Sequence, residues 1–364
     1  MREMTGTGLA TGPLKTATLR RELNSMTDQV LISIIVPVYN GHKVLPRCLE
    51  ALRGSTYQSY ELIVVDDSST DDSAEIARNM GASVYQMAAQ SGPAAARNLG
   101  ARNARGEILF FVDADVVVQP DSVSRIAADF QEHPEVAAVF GSYDAEPAEA
   151  NFVSQYKNLY HHFVHQAGQL DATTFWAGCG GIRRAAFESV GGFDQVRYAR
   201  PCIEDIELGY RLRRKGHRML LDKQLQCKHL KQWTFKSLLR ADIFHRAIPW
   251  SQLILEHKEV INDLNLQTKE RVSAVLVALT FALLPLSILK PQLLAAALSC
   301  LLIIFVLNHK LYASFLKQRG ALFMVLAFLM QLLHYSYSSA SFALCSVQHL
   351  FNGNTRKAES MARF

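Results

Sequence analysis

No two cysteines in this chain are spaced as C-x-x-C. The six (Cys48, Cys179, Cys202, Cys227, Cys300 and Cys345) are scattered, two of them in an apolar tail region. That spacing gives neither a zinc ribbon nor a disulfide framework and fits a reducing compartment. A basic stripe with interleaved aromatics is also missing, which argues against nucleic acid as a partner. The net charge of +5 is better matched to an anionic membrane surface. Residues 1–31 lack the apolar stretch of a signal peptide. They read as a polar, disordered tail, favoured over a short basic helix at 14–23. The first apolar run leads into Pro37-Val-Tyr-Asn-Gly41 and not into G-x-G-x-x-G, which excludes a dinucleotide-binding oxidoreductase.

Charged residues are spread from the start to about Arg271, after which the chain turns strongly apolar as far as about Phe351. The shift predicts a water-soluble catalytic domain over 32–260, a membrane segment over 261–351 and a short tail over 352–364. In the first part short β-branched runs at 31–36, 61–65, 83–87, 107–112 and 136–140 alternate with amphipathic stretches at 44–52, 69–81, 94–104 and 121–132. This alternation predicts an α/β fold, a mostly parallel sheet sandwiched by helices. Ligands in such sheets bind beyond the carboxyl ends of the strands, and three of those ends are polar: Tyr39-Asn40, Asp66-Asp67 and Asp113-Ala-Asp115. Further helices are expected at 151–166 and 205–215, with a glycine-rich turn at Gly178-Cys-Gly-Gly181.

Asp113 and Asp115 are the strongest chemical signal. Two carboxylates one residue apart, directly after a buried strand, suit a hard divalent cation, Mg2+ or Mn2+, that neutralises a diphosphate leaving group. Asp66 and Asp67 are placed to accept hydrogen bonds from a nucleobase or ribose, with Thr70 to Asp72 as helix caps. His161 and His165 share a helix face without a carboxylate motif nearby and are read as structural. Trp233, Arg246 and Trp250 are candidates for an acceptor groove through stacking and phosphate pairing, or for anchoring at the membrane interface.

Several of these runs together resemble family 2 glycosyltransferases: Ile35-Val-Pro-Val-Tyr-Asn40, Asp66-Asp-Ser-Ser-Thr-Asp71, Gly92-Pro-Ala-Ala-Ala-Arg-Asn-Leu-Gly100, Asp113-Ala-Asp115, Gly191-Gly-Phe-Asp194, and Glu204-Asp205 with Arg211-Leu-Arg-Arg-Lys-Gly216. Order and spacing match over roughly residues 32–230. The resemblance implies the A-type glycosyltransferase fold and a nucleotide-diphosphate sugar as donor. It implies that Pro37, Tyr39, Asn40 and Asp67 meet the nucleoside and that the Gly92 segment lies against the nucleotide. His229 is implied as a further metal ligand. The second acid of the Glu204-Asp205 pair, Asp205, is implied as the general base of an inverting transfer, and Glu204 is read as either an acceptor contact or a support. The chain departs from many relatives at Gly41-His42-Lys43, where they carry acidic residues.

The apolar tail adds an expectation about the acceptor. Segments at 272–289, 292–308 and 321–351 predict two or three transmembrane helices. That places the crevice beside a bilayer, the cytoplasmic membrane if the source is bacterial, and points to a lipid or lipid-linked acceptor. Lys269 and Arg271 precede the first segment and Lys310, Lys317 and Arg319 follow the second, so the catalytic part is expected on the cytoplasmic side. The third segment contains Gln331 and His334 and is expected to bend back or lie in the interface. A processive polysaccharide synthase is the alternative enzyme, although a Gln-x-x-Arg-Trp motif is lacking. A non-catalytic membrane scaffold that kept the fold is the alternative from another class.

Overall fold

The computed structural model describes residues 29–259 and 261–361, with side chains as far as Phe351. The expected N-terminal tail up to residue 28, including the 14–23 stretch, lies outside the described residues. So do the side chains of the C-terminal tail.

Nine strands form one sheet: β1 Ile32–Val38, β2 Tyr60–Asp66, β3 Ser83–Gln86, β4 Ile108–Val112, β5 Val116–Val118, β6 Val136–Tyr143, β7 Asp171–Ala172, β8 Cys179–Arg183 and β9 Arg218–His229. Their order is β3-β2-β1-β4-β8-β6-β9-β5, with β7 paired to β9. The helices are α1 Leu45–Arg53, α2 Ser73–Asn79, α3 Pro93–Asn103, α4 Ser122–Glu132, α5 Phe152–Ala167, α6 Arg184–Ser189, α7 Glu204–Arg214, α8 Phe235–Asp242, α9 Ile248–His257, α10 Thr268–Leu286, α11 Gln292–Leu307 and α12 His309–Met361. A π-helical turn, Ile243–Ala247, joins α8 to α9.

Strand residues alternate between two cores. Ile35, Ile63, Val65, Leu109 and Phe111 face one side, with Ala94 and Ala96 of α3 and Leu159 of α5. Ile34, Val36, Val64, Phe110 and Val112 face the other, with Leu45 and Leu49 of α1 and Ile126 of α4. Burial on both faces is why these runs are almost continuously apolar. Each buried Val, Ile, Leu or Phe contributes about 1.5–3 kcal/mol.

The sheet is mixed, which corrects the mostly parallel expectation. β3, β2, β1 and β4 run parallel, but β8 is antiparallel to both β4 and β6. β5 is antiparallel to β9, and β6 and β9 are parallel. The glycine-rich run at 178–181 accounts for the difference, because most of it is strand β8 and not a turn. A Cβ on Gly180 would lie 2.8 Å from the Phe175 ring, and one on Gly181 3.0 Å from Ile126. Glycine here makes room for neighbouring side chains in mid-sheet.

The C-terminal helices follow the three apolar segments. α12 breaks at Gly320, whose φ of 85° and ψ of 177° lie outside the helical region. By length and composition, 309–351 is the one stretch among the described residues that passes as a long apolar span. Leu311, Tyr312, Phe315 and Ala327 of α12 belong to the same core as α5 and α7, so this helix is built onto the sheet domain.

Candidate active site

The carboxyl ends of β1, β2, β4, β6 and β9 open on a cleft of about 990 Å3 whose lining includes the expected site residues Pro37, Tyr39, Asn40, Asp67, Gly92, Asp113, Asp115, Glu204, Asp205, His229, Trp233, Arg246 and Trp250. Six stretches of chain far apart in sequence thus meet in one place.

One wall is a set of loops tied by side chain to main chain. Asn40 takes a left-handed φ of 51°, and its Oδ1 accepts from the Thr70 amide at 2.8 Å. The Asp67 carboxylate accepts from the Ser91 amide at 2.7 Å and the Gly92 amide at 2.8 Å. Asp67 therefore holds the ledge at the start of α3 as well as lining the cleft. Gly92 sits at φ 87°, ψ 168°, a region closed to residues with a side chain, and a Cβ there would lie 2.5 Å from the Ala199 carbonyl oxygen. Asp66 does not join the lining, contrary to expectation. Its oxygens accept from the Ser69 amide and the Gln86 side chain, both at 3.1 Å. The capping role falls to Asp71, whose Oδ1 accepts from the Ser73 amide at 3.1 Å.

The acidic floor is organised by Arg97, which sequence reasoning passed over. This buried guanidinium donates to Asp113 Oδ1 at 2.6 Å and to Glu204 Oε1 at 2.8 Å. Burial alone would favour the neutral form, but the facing carboxylates keep Arg97 firmly charged. Glu204 Oε2 accepts from the Cys202 amide at 2.9 Å, so both of its oxygens are engaged. Burial pushes Asp113 up from the usual carboxylate range, opposed by Arg97. For Asp115 burial acts in the same direction but is outweighed by His229 and Lys231, which hold it low. Pairing of Val116 with His229 across β5 and β9 brings His229 Nε2 within 3.4 Å of Asp115 Oδ2.

Asp205 heads α7 beside Glu204. Its Oδ2 accepts from the Ala177 amide at 3.1 Å and its Oδ1 from the Ile206 amide at 2.8 Å. Burial and the Glu204 charge together push it up to about 7, against Arg97 and the two amides. The cleft thus holds carboxyl groups with separated proton affinities, the pattern of a site with divided roles.

The opposite wall is aromatic and cationic. Tyr143 stacks on His229 at 4.3 Å and lies tilted against His161 at 4.2 Å. His161, read from sequence as a structural residue, lines the cleft with its Nδ1 buried and unpartnered. Burial and neighbouring cationic side chains keep it neutral. His165 Nδ1 donates to the Gly141 carbonyl at 2.9 Å, and burial lowers it to about 4. Trp233 packs under Lys231, whose Nζ lies 4.4 Å from the ring centroid. Arg246 pairs with Asp242 at 2.8 Å, and Asp242 also takes Lys157 at 2.7 Å. Lys157, Lys231 and Arg240 join Arg246 as cations of the lining.

The family model described as Glycosyl transferase family 2 matches residues 33–191, which hold the nucleotide-side loops, Arg97 and the Asp113-Ala-Asp115 motif. Residues 33–191 are thus similar to the domain of that family. Among its relatives is glycosyltransferase GlyG of Streptococcus pneumoniae, 34% identical over 127 residues, which is 34% of this chain and 42% of that protein. The chain therefore spans less than half of that relative's length. An uncharacterized glycosyltransferase of Haemophilus influenzae is 28% identical over 185 residues, covering 49% of this chain and 73% of its own. The mannosyltransferase PcManGT of Pyrobaculum calidifontis, solved with GDP-Man and Mn2+, superposes with a TM-score of 0.51 at 18% identity. That match covers 93% of this chain and 94% of PcManGT, a likeness of fold.

Proposed function

We propose that this glycosyltransferase domain transfers a sugar, with inversion, from a nucleotide-diphosphate sugar to a hydroxyl of a lipid or lipid-linked acceptor. The observation that carries the reading is Asp205. It heads α7 in the same cleft as Asp113 and Asp115, is oriented by the Ala177 and Ile206 amides, and is pushed up to about 7.

The donor set suits a hard divalent cation. Asp115 offers carboxylate oxygen beside the imidazole of His229, and Asp113 keeps its second oxygen while Arg97 takes the first. Asp113, Asp115 and His229 would hold Mg2+ or Mn2+ there. When bound, such an ion neutralises the diphosphate of the donor. Pro37, Tyr39, Asn40 and Asp67 receive the nucleoside, and the Asp67-braced ledge at Gly92 positions the nucleotide. Asp205 accepts the proton of the acceptor hydroxyl as that oxygen bonds to the anomeric carbon. The anomeric carbon–oxygen bond to the diphosphate breaks, and the nucleoside diphosphate leaves on the face opposite the new bond. Trp233, Arg246 and Trp250 shape the acceptor end of the cleft.

The hairpin of α10 and α11 supports the lipid reading. Val275 is 68% exposed, Leu302 63% and Ile288, near the tip, 83%, a density of exposed apolar side chains that water does not favour. We place this hairpin in the membrane and the catalytic domain on its cytoplasmic side. The test is incubation of the membrane-embedded protein with a panel of nucleotide sugars and native lipid extract, followed by mass spectrometry. A lipid gaining one sugar with the parent protein and none with Asp205→Asn is expected. Release of free sugar alone, with every lipid unchanged, refutes the acceptor assignment.

A further inference from the structure

The long apolar helix that looks most like a membrane crossing is fastened along the catalytic domain. From Gly320 onward one face of α12 meets that domain repeatedly. The Phe323 ring lies 5.1 Å from Phe152. Gln331 Oε1 accepts from the Tyr156 hydroxyl at 2.8 Å, and the His334 ring lies 5.6 Å from that of Tyr160. Tyr337 donates to Asp242 at 2.7 Å, and Cys345 donates to the Ile248 carbonyl at 3.7 Å. Phe323 to Cys345 is about 33 Å of helix, roughly the thickness of a bilayer's hydrocarbon. A helix crossing that hydrocarbon would carry α8 into it, with Lys236, Ser237 and Arg240 exposed on its surface. Polar segments of that kind do not face lipid.

The other side of α12 is apolar and open. Leu322 is 75% exposed, Leu329 55%, Leu344 52% and Leu350 68%. Cations border this surface: Lys310 and Lys317 before Gly320, and Lys236 and Arg240 on α8, are all exposed. Phe235 and Phe244, at either end of the α8 stretch, are exposed as well. An apolar stripe with cations and aromatics at its margin is the make-up of a helix lying in an anionic membrane surface.

We propose that the α12 stretch from Ala321 to Phe351 lies in the plane of one leaflet of an anionic phospholipid bilayer, on the catalytic-domain side, and does not cross. This rests on the membrane reading above. It also ties the bilayer to the cleft, because Tyr337 holds the carboxylate that positions Lys157 and Arg246.

The test uses the full chain in vesicles of phosphatidylethanolamine and phosphatidylglycerol. Five of the six native cysteines are buried and only Cys202 is partly accessible, so Cys202→Ser gives a working background. Single substitutions Leu322→Cys, Leu329→Cys, Leu344→Cys and Leu350→Cys carry a fluorophore, and lipids bearing a nitroxide either high or deep in the acyl chain quench it. Quenching of all four to the same extent, more strongly by the high nitroxide, is expected. In sealed vesicles, His349→Cys and Arg53→Cys should react with an impermeant thiol reagent from the same face. Deep quenching confined to Leu329 and Leu344, or reaction of His349→Cys only from the face opposite Arg53→Cys, overturns the proposal while leaving the membrane reading standing. Protein that stays in the supernatant, unquenched by either lipid, overturns both.

Discussion

Replacing Asp205 by asparagine separates chemistry from structure at this site, because the two effects differ greatly in size. The carboxylate accepts one amide from Ala177 and one from Ile206. The asparagine side chain has a single acceptor oxygen and so loses one of these contacts, worth about 0.5–1.5 kcal/mol. For a domain of this size that lowers the unfolding midpoint by roughly 1–6 °C. Loss of a general base costs about 10²- to 10⁴-fold in rate, or roughly 2.7–5.5 kcal/mol of barrier. Single-turnover transfer should therefore collapse in a protein that melts close to the parent and binds donor normally. The pH dependence gives a second handle. Only ionised Asp205 accepts a proton, so the parent's rate should rise with pH through about 7. Between pH 6 and pH 8 the ionised fraction climbs from about 0.1 to about 0.9, roughly a tenfold gain. Asp205→Asn should lose this rise along with its rate. A variant keeping more than half the parent's single-turnover rate, or a parent whose rate is flat across that range, would show that Asp205 is not the base.

Three further outcomes follow from the same geometry. Arg97→Met leaves Asp113 and Glu204 facing each other without their shared cation, a loss of about 3–5 kcal/mol that should lower the melting midpoint by roughly 6–20 °C; an unchanged midpoint refutes the bridging role. Gly92→Ala forces a side chain into a glycine-only conformation against the Ala199 carbonyl, at about 1–3 kcal/mol, and should raise the donor KM more than it lowers kcat, as steady-state kinetics will show. Chelation should abolish transfer and Mg2+ or Mn2+ restore it, with Asp115→Ala weakening donor binding in calorimetry only when metal is present; metal-independent transfer by the chelated protein contradicts the assignment.

The first half of the fold could be read almost element by element, because β1, β2 and β4 are buried on both faces and appear as unbroken apolar runs between helices. The second half could not. β9 alternates, with Met219, Leu221, Leu225 and Cys227 buried between more exposed neighbours, and that period of two was there to be read. A register shift where it pairs with β6 and the charged residues on its open face hid it. β8 was harder, since glycine ordinarily signals a turn. Only the facing Phe175 and Ile126 explain why Gly180 and Gly181 belong in mid-sheet. Site residues show the same division. Motif positions such as Asp67 and Asp115 line the cleft, whereas Arg97 went unnoticed inside a motif already quoted. A lone cation in the otherwise apolar run Ala94-Ala-Ala-Arg97 on a buried helix needs a buried anion, and that rule alone would have predicted its partners.

The apolar tail shows where composition misleads. Hydropathy counts side chains along a helix but not which face each one occupies. In the stretch of α12 after Gly320, the polar residues Gln331, His334 and Tyr337 fall at intervals of three on one side, and that side is where α5 and α8 dock. Tyr335 turns the other way, donating to Glu270 of α10 at 2.6 Å, so α12 is wedged between the catalytic domain and the α10–α11 hairpin. A residue such as Gln331, costly in hydrocarbon, is therefore an address for the Tyr156 hydroxyl in this chain. The same polar positions that weaken the case for a third crossing make the case for docking, and they fix which stripe of the helix stays exposed.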